Sequence, residues 1–427
     1  MRGDPVGPIV EARKPIHPAA MTTRTYRVVS WAAILGSLLA FGCGGAGASA
    51  TGPSRSGGGA APGPHRVRLE PRAGWRAVVD VSVATLWLKP AALRPMDAPS
   101  AANPVDIPSW LSRMTVADRR WLVGRVQTQA VYGTAVSVLR QRGRWSYVVV
   151  AAQPTQLDAR GYPGWMPTRQ LTGNLSLIGL LKARPVAVVT ARTAWLRDPV
   201  TLKRRIQISY ATRLPIVGRA GDSDVVATPD GGRLAIRTTK LAEYPSLGAI
   251  QPSGGRALVR AARSFLGLPY LWGGVSGYGF DCSGLTYAVH RRFGIRIPRD
   301  ADQQAVHGTP VRRANLRPGD LVFFAGPGGA GFVHHVAMYA GSGRIVEAPN
   351  TGSVVRVVPL SAYGSTYAGA RRYLPTTTGS PSATPGGTRG EQTSETVQAR
   401  ILARLQPDEI VLMHTLVALP RSIAARG

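Results

Sequence analysis

Cysteine is nearly absent: 427 residues hold two, Cys43 and Cys282. Cys43 ends an N-terminal apolar segment and is expected to be lipidated or removed on export, so the mature chain keeps at most one free thiol. A lone thiol in an exported protein forms no internal disulfide, and catalysis becomes the leading role for Cys282. Acidic residues are scarce too, 22 Asp and Glu against 52 Lys and Arg, for a net charge of +30. That excess is almost wholly arginine. It fits an anionic partner such as an envelope polymer or membrane, or reflects codon usage that favours Arg over Lys. No basic-plus-aromatic motif accompanies it, so nucleic acid is not an expected partner. The apolar run at 28–41 is too short for a comfortable membrane span.

What is present is turn-forming residue, with 50 Gly and 34 Pro, which predicts many short strands. Residues 1–50 read as an N-terminal extension followed by a secretion signal. Arg24 and Arg27 precede the apolar run, and small residues follow it; Met21 is a plausible start. Two outcomes stay open, lipid anchoring through Cys43 or cleavage after Ala48-Ser49-Ala50. A linker follows at 51–74, Gly/Ser/Pro-rich in its first part. Residues 75–173 show short alternating apolar runs, with strands expected at 79–88, 135–139 and 145–150. A polar insertion at 89–125 carries a helix near 107–114. Residues 174–247 repeat the style, with strands at 186–190, 193–196, 214–217 and 234–237. The pair reads as a loose tandem of small β-barrels. Their mutual similarity is too weak to establish duplication. At 250–375 the pattern becomes α+β: helices at 256–266 and 283–293, the latter stopped by Gly294, then antiparallel strands at 320–325, 333–340, 344–348 and 354–358. A low-complexity linker and tail, 376–427, ends in a helix-prone stretch at 397–419.

The chemistry concentrates in the third block. Phe280-Asp281-Cys282-Ser283-Gly284 opens a predicted helix, where unpaired N–H groups and the helix dipole favour a thiolate and can receive an oxyanion. Fifty residues on lies Val333-His334-His335-Val336. Strand parity sends the two imidazoles to opposite faces. A turn at Gly341-Ser342-Gly343 makes residues 335 and 347 equidistant from 341, so His335 and Glu347 are expected directly opposite, with Cβ atoms about 4.5–5.5 Å apart. Glu347 would then orient the ring as the third member of a triad. No metal or other cofactor is expected, because parity separates the imidazoles and no second ligand cluster is present.

Residues 255–374 resemble the NlpC-type cell-wall peptidases, a papain-like family. The resemblance rests on Pro269-Tyr270-Leu271-Trp272-Gly273-Gly274, Phe280-Asp281-Cys282-Ser283-Gly284-Leu285 and Ile297-Pro298-Arg299. It continues through Arg317-Pro318-Gly319-Asp320, His335-Val336-Ala337-Met338-Tyr339 and Ala348-Pro349-Asn350. It implies a papain-like α+β catalytic domain with an antiparallel sheet, Cys282 as nucleophile, His335 as base and Glu347 as third polar residue. It also implies cleavage of peptidoglycan stem peptides at the γ-D-glutamyl-diamino acid bond. The alternatives are a non-catalytic wall-binding protein or an amidase on the same scaffold. Tyr270, Asp281 and Ser283 then fall to substrate binding. Val81-Ser82-Val83-Ala84-Thr85-Leu86-Trp87, the stretch ending Val131-Tyr132-Gly133-Thr134, and Gly161-Tyr162-Pro163-Gly164-Trp165 resemble bacterial SH3-like domains of a subgroup. That subgroup acts on peptides with a free N-terminal L-alanine. It implies that the first SH3-like barrel helps bind the ammonium, through Tyr132 and with Asp97 as second acid beside Asp281.

Overall fold

A computed structural model describes residues 69–375. The signal segment, Cys43, most of the first linker and the helix-prone tail lie outside the described residues. No helix among the described residues is long and apolar enough to cross a membrane.

Seven strands make the first sheet: Arg76–Val79, Val83–Trp87, Val126–Val131, Ala135–Arg142, Trp145–Val150, Tyr162–Pro167 and Leu171–Thr172. Counted in chain order, neighbours run third, second, sixth, fifth, fourth, first, seventh. The second sheet is built from Val186–Val189, Thr193–Arg197, Arg204–Ser209, Arg213–Ala220, Ser223–Ala227, Arg233–Arg237 and Leu241–Tyr244, in the same order. The two units thus share a topology that their sequences do not advertise.

One expected element divides. The run at 79–88 is two strands, because the chain turns at Asp80–Ser82 and the halves pair with different partners. Both ends of the turn are pinned to one hairpin, by Gly133 N–H to Val79 O (2.9 Å) and Tyr132 N–H to Ser82 O (3.1 Å). Ala77, Val78, Val79, Val83 and Ala84 are all fully buried. A run buried on both faces shows no alternation that could mark the break.

The insertion folds as three short helices, Ala98–Ala101, Ile107–Arg113 and Val116–Trp121. Asp106 and Thr115 cap the latter two by accepting from Ser109 and Asp118 N–H groups. Its apolar side joins Ile107, Trp110 and Leu122 to Trp87 of the first sheet and to Leu271 of the third block.

In the third block, helices Gly255–Arg263 and Cys282–Arg292 pack on a six-stranded antiparallel sheet. Its order is Thr309–Pro310, Tyr367–Arg372, Leu321–Phe324, His335–Gly341, Arg344–Glu347, Arg356–Pro359. Leu285, Ala288 and Val289 of the second helix share a core with Phe265, Phe280, Met338 and Val346. Gly294, at φ +74°, ends that helix as expected. The loop before it is gripped by both barrels. Gln129 Oε1 accepts from Val275 N–H and Ser276 hydroxyl at 3.4 and 3.1 Å, while Ser209 Oγ accepts from Gly277 N–H at 2.8 Å.

Gly273 is a tight point of that docking against the first barrel. Its φ is +74°, and a Cβ there would lie 2.5 Å from Val126 Cγ1 of the first sheet. Gly273→Ala is expected to destabilise by the left-handed backbone penalty of about 1–2 kcal/mol plus the cost of displacing Val126. Gly267→Ala, at φ +83° with nothing within 4 Å of the new methyl, isolates the backbone part. Chemical denaturation should rank Gly273→Ala clearly below Gly267→Ala; equal midpoints would show that the barrel is not held tightly here.

Candidate active site

Cys282 is the first residue of the helix Cys282–Arg292, and Asp281 is its N-cap. Asp281 is saturated. Its Oδ1 accepts from Gly284 N–H (2.6 Å) and Arg299 Nη1 (3.0 Å), and its Oδ2 from Gly273 N–H (2.9 Å) and Arg299 Nη2 (2.6 Å). Ser283 joins the same cluster, its hydroxyl 3.3 Å from Asp281 Oδ1 and accepting from Arg299 at 2.8 Å. Neither side chain has the spare capacity that an amine contact requires; both are engaged in building the helix start.

His335 is buried on its strand, while His334 is exposed, as parity requires. His335 Nε2 lies 2.9 Å from Glu347 Oε2. With Nε2 engaged, Nδ1 is the ring atom left for the Cys282 thiol, which lies close enough to interact with the ring. The expected pairing of 335 with 347 is displaced. The observed register is Met338 with Val346 and Tyr339 with Ile345, and it shifts between Tyr339 and Gly341. Continued, it sets Glu347 opposite residue 337, so His335 and Glu347 are diagonal neighbours rather than opposed. The displacement is two positions, so the face is kept, and a long carboxylate side chain spans the diagonal.

Three residues beyond the expected set hold this pair. Arg356, opposite Glu347 on the next strand, donates to its Oε1 at 2.9 Å. The Tyr363 hydroxyl donates to Oε2. Tyr363 also stacks on the His335 ring (centroids 5.4 Å, 17° between planes), with Phe324 stacked on both rings. Tyr363 lies in the irregular segment Leu360–Thr366, 28 residues from the histidine in sequence and on no strand. No spacing rule connects the two.

Burial opposes charge on His335, but the neighbouring Cys282 thiol and then the hydrogen bond to Glu347, with their charges, overcome it and raise the pKa to about 9. For Glu347, burial works against ionisation and is outweighed by His335, Tyr363 and Arg356, which hold its pKa below the usual carboxylate value. Tyr270 is buried; desolvation first, then the neighbouring Cys282 and Asp281, push its pKa well up, so it stands beside the thiol as a neutral donor.

The first barrel reaches this region differently from the expectation. Tyr132 is buried in the core of the second unit with Leu177, Leu214 and Ile236. Asp97 is fully buried in the insertion, where Arg94 and the Trp110 Nε1–H (2.8 Å) occupy both its oxygens. The residue that does arrive is Tyr162, whose hydroxyl donates to Asp300 Oδ1 at 3.2 Å. Asp300 keeps some solvent exposure yet is closely surrounded. Desolvation lifts its pKa to about 7 against the opposing charge of Arg299. Arg299 in turn donates from Nε to Thr128 of the first sheet at 3.0 Å. Among the described residues, no group of three or more His, Cys, Asp or Glu could hold a metal ion.

The profile of the NlpC/P60 family matches residues 267–372, and that of the YKFC SH3b2 domain matches 189–244. A gamma-D-glutamyl-L-lysine dipeptidyl-peptidase of Bacillus cereus is 42% identical over 305 residues, 70% of this chain and 91% of that protein. The enzyme of the same name from Bacillus subtilis is 34% identical over 66% of this chain and 92% of its own. The chain belongs to the NlpC/P60 family. It is a cysteine peptidase with SH3-like domains ahead of its catalytic domain. A crystal structure of an NlpC/P60 family protein from Bacillus cereus superposes with a TM-score of 0.68 at 42% identity, covering 70% of this chain and all of that one.

Because the folded-state pKa of His335 is raised, its charged form contributes stability in full below its unfolded value near 6.5, and that contribution is lost as pH rises through about 9. If thiolate and imidazolium react as a pair, kcat/KM falls on the alkaline side near pH 9. Glu347→Gln removes one source of the raised pKa and should move that limb to lower pH. Tyr363→Phe keeps the stack and deletes one hydrogen bond to a charged acceptor, about 1.5–3 kcal/mol. A carboxylate freed of that donor holds the His335 proton more strongly, so this variant should move the limb to higher pH with KM nearly unchanged. An alkaline limb that is the same in all three proteins would refute the arrangement.

Proposed function

We propose that this peptidase cleaves peptidoglycan stem peptides after γ-D-glutamate, releasing L-Ala-D-Glu from peptides with a free N-terminal alanine. The His335–Glu347 hydrogen bond, with the free Nδ1 of His335 left for the neighbouring Cys282 thiol, carries this reading, and the names of the two Bacillus relatives supply the bond. The Cys282 thiolate attacks the γ-glutamyl carbonyl. Gly284 N–H is occupied by Asp281, so the N–H groups of Cys282 and Ser283 at the helix start receive the oxyanion. His335 gives its proton to the leaving amine of the diamino acid, leaving a thioester. It then takes a proton from water, whose hydroxide displaces the thiolate and frees the dipeptide. Glu347 holds the ring in orientation throughout.

Asp300 and Tyr162 form the end of the site that reads the ammonium. An ammonium in a closed pocket needs an anion beside it. Asp300, unlike Asp281, is not saturated by donors and keeps contact with solvent. Its pKa near 7 means that binding a cation completes its ionisation. A muramic acid linked to the alanine nitrogen would remove that charge, so free stem peptides are the preferred substrates over intact wall. Action at the envelope or outside the cell goes with the family. Anchoring through Cys43, and attraction of the arginine-rich chain to an anionic envelope surface, belong to the same reading.

Incubation with L-Ala-γ-D-Glu-L-Lys, or the diaminopimelate analogue, should yield L-Ala-D-Glu by mass spectrometry, and Cys282→Ala should yield none. A thiol alkylator should abolish turnover and a chelator leave it intact. Asp300→Asn should raise KM about ten- to a hundredfold for free-amine peptides with a smaller change in kcat, the loss of one charge-assisted contact. N-acetylated peptides should be poor substrates for both proteins. Undiminished product from Cys282→Ala would end the mechanism. Release of whole peptides from muramic acid would mark an amidase, and wall binding without turnover a non-catalytic protein.

A further inference from the structure

A cavity of about 360 Å³ opens where four elements meet: the first sheet, the linking helix Ser176–Ala183, the second sheet and the C-terminal end of the helix Cys282–Arg292. None of Cys282, His335, Glu347, Tyr162 or Asp300 lines it. Its walls carry Arg76, Lys182, Arg213 and Arg291, and no carboxylate. Arg76 and Lys182 are exposed at its edge, and Arg213 and Arg291 are half-buried.

The inner pair is unbalanced in charge. Arg213 donates to the backbone carbonyl of Arg291, and Arg291 to that of Ala211, so each finds only a neutral acceptor. Arg213 Nε is buried without a hydrogen-bond partner. Neither arginine forms an ion pair with a described residue. Elsewhere in this chain Arg299, Arg372 and Arg94 are each matched by an aspartate, at 2.6, 2.7 and 2.9 Å. Burial and then the charge of Arg291 push the Arg213 pKa down to about 9.

We propose that this junction is an anion site for a phosphate group. Guanidinium forks match tetrahedral oxyanions by paired hydrogen bonds. Four cations without an acid favour a doubly charged ligand over a single carboxylate. The volume exceeds what one phosphate fills, so a phosphate ester of a small polyol fits as well as free phosphate. An occupant would tie both barrels to the helix that carries Cys282.

The test is thermal unfolding of the intact protein in inorganic phosphate, with sodium chloride at equal ionic strength as control. At ten times the dissociation constant, phosphate should raise Tm by about 2–4 °C, and chloride should not. Arg213→Met removes one of two like charges, so it should unfold no earlier than the parent without phosphate, and its phosphate response should vanish. Should Arg213→Met fail to fold, the exposed double variant Arg76→Gln/Lys182→Gln should weaken phosphate affinity about tenfold by titration calorimetry, with peptidase activity unchanged. A larger shift with glycerol phosphate identifies a polyol ester as the ligand, and an equal or smaller one free phosphate. An identical rise in chloride, a response that persists in both variants, or no response at all overturns the proposal.

Discussion

A buried carboxylate beside a reactive thiol is a liability unless something neutralises it, and the Asp281–Arg299 pair is the constraint around which the site is assembled. Asp281 starts the helix by capping Gly284 and holds the preceding loop through Gly273. Left alone, its negative charge would oppose a thiolate one residue away. The Arg299 side chain, 1% exposed, cancels that charge through two hydrogen bonds to both carboxylate oxygens. The N-terminal dipole and His335 are then left to stabilise the thiolate. The same guanidinium reaches Thr128, which donates to Gln153, which in turn donates to the Gln129 carbonyl. The charge balance at the thiol and the docking of the first barrel therefore share one residue. Removing one partner of such a buried pair costs about 3–5 kcal/mol, and here the loss would fall on both at once.

The other half of the site is organised around Glu347 rather than around the histidine. Its carboxylate receives His335, Tyr363 and Arg356, and it is fully buried. With two further donors fixing its oxygens, its position does not depend on the histidine's protonation state. The Phe324 and Tyr363 rings flank the imidazole and restrict its rotation. An imidazole that must face both a thiol and a leaving amine gains from such restriction, since proton transfer depends first on geometry.

Much of this was legible in the chain because it follows from local periodicity. Strand parity alone separated His334 from His335 and put Glu347 on the histidine's face. The turn displaces the pairing by three positions and the one-residue irregularity near Ala340 takes one back, a net shift of two that parity survives. Cys282 at a helix start followed from the motif and the following apolar stretch. What stayed hidden depends on tertiary approach. Tyr363 comes from a segment with no strand or helix period. Tyr132 and Tyr162 both lie in aromatic-containing motifs of the first barrel, and nothing in either stretch says which tyrosine turns toward the third block. Asp97 and Asp300 are likewise indistinguishable as isolated acids. Only the surroundings separate them, with Arg94 and Trp110 closing around one and a single tyrosine hydroxyl reaching the other.

The scarcity of acids gives those surroundings their meaning. With 22 carboxylates against 52 cationic residues, a carboxylate in this chain readily finds an arginine. Asp281, Glu347, Asp320 and Asp97 each do so inside the structure. Pairing of that kind lowers or cancels the local negative potential and makes the acid structural. Asp300 sits next to Arg299 in sequence, yet that guanidinium is turned to Asp281, and a tyrosine hydroxyl is what Asp300 receives. Its negative potential is therefore not neutralised by a direct ion pair, and its elevated pKa registers the cost. In a protein so rich in arginine, an acid left in that condition is one with which a cationic group from outside the chain can still pair.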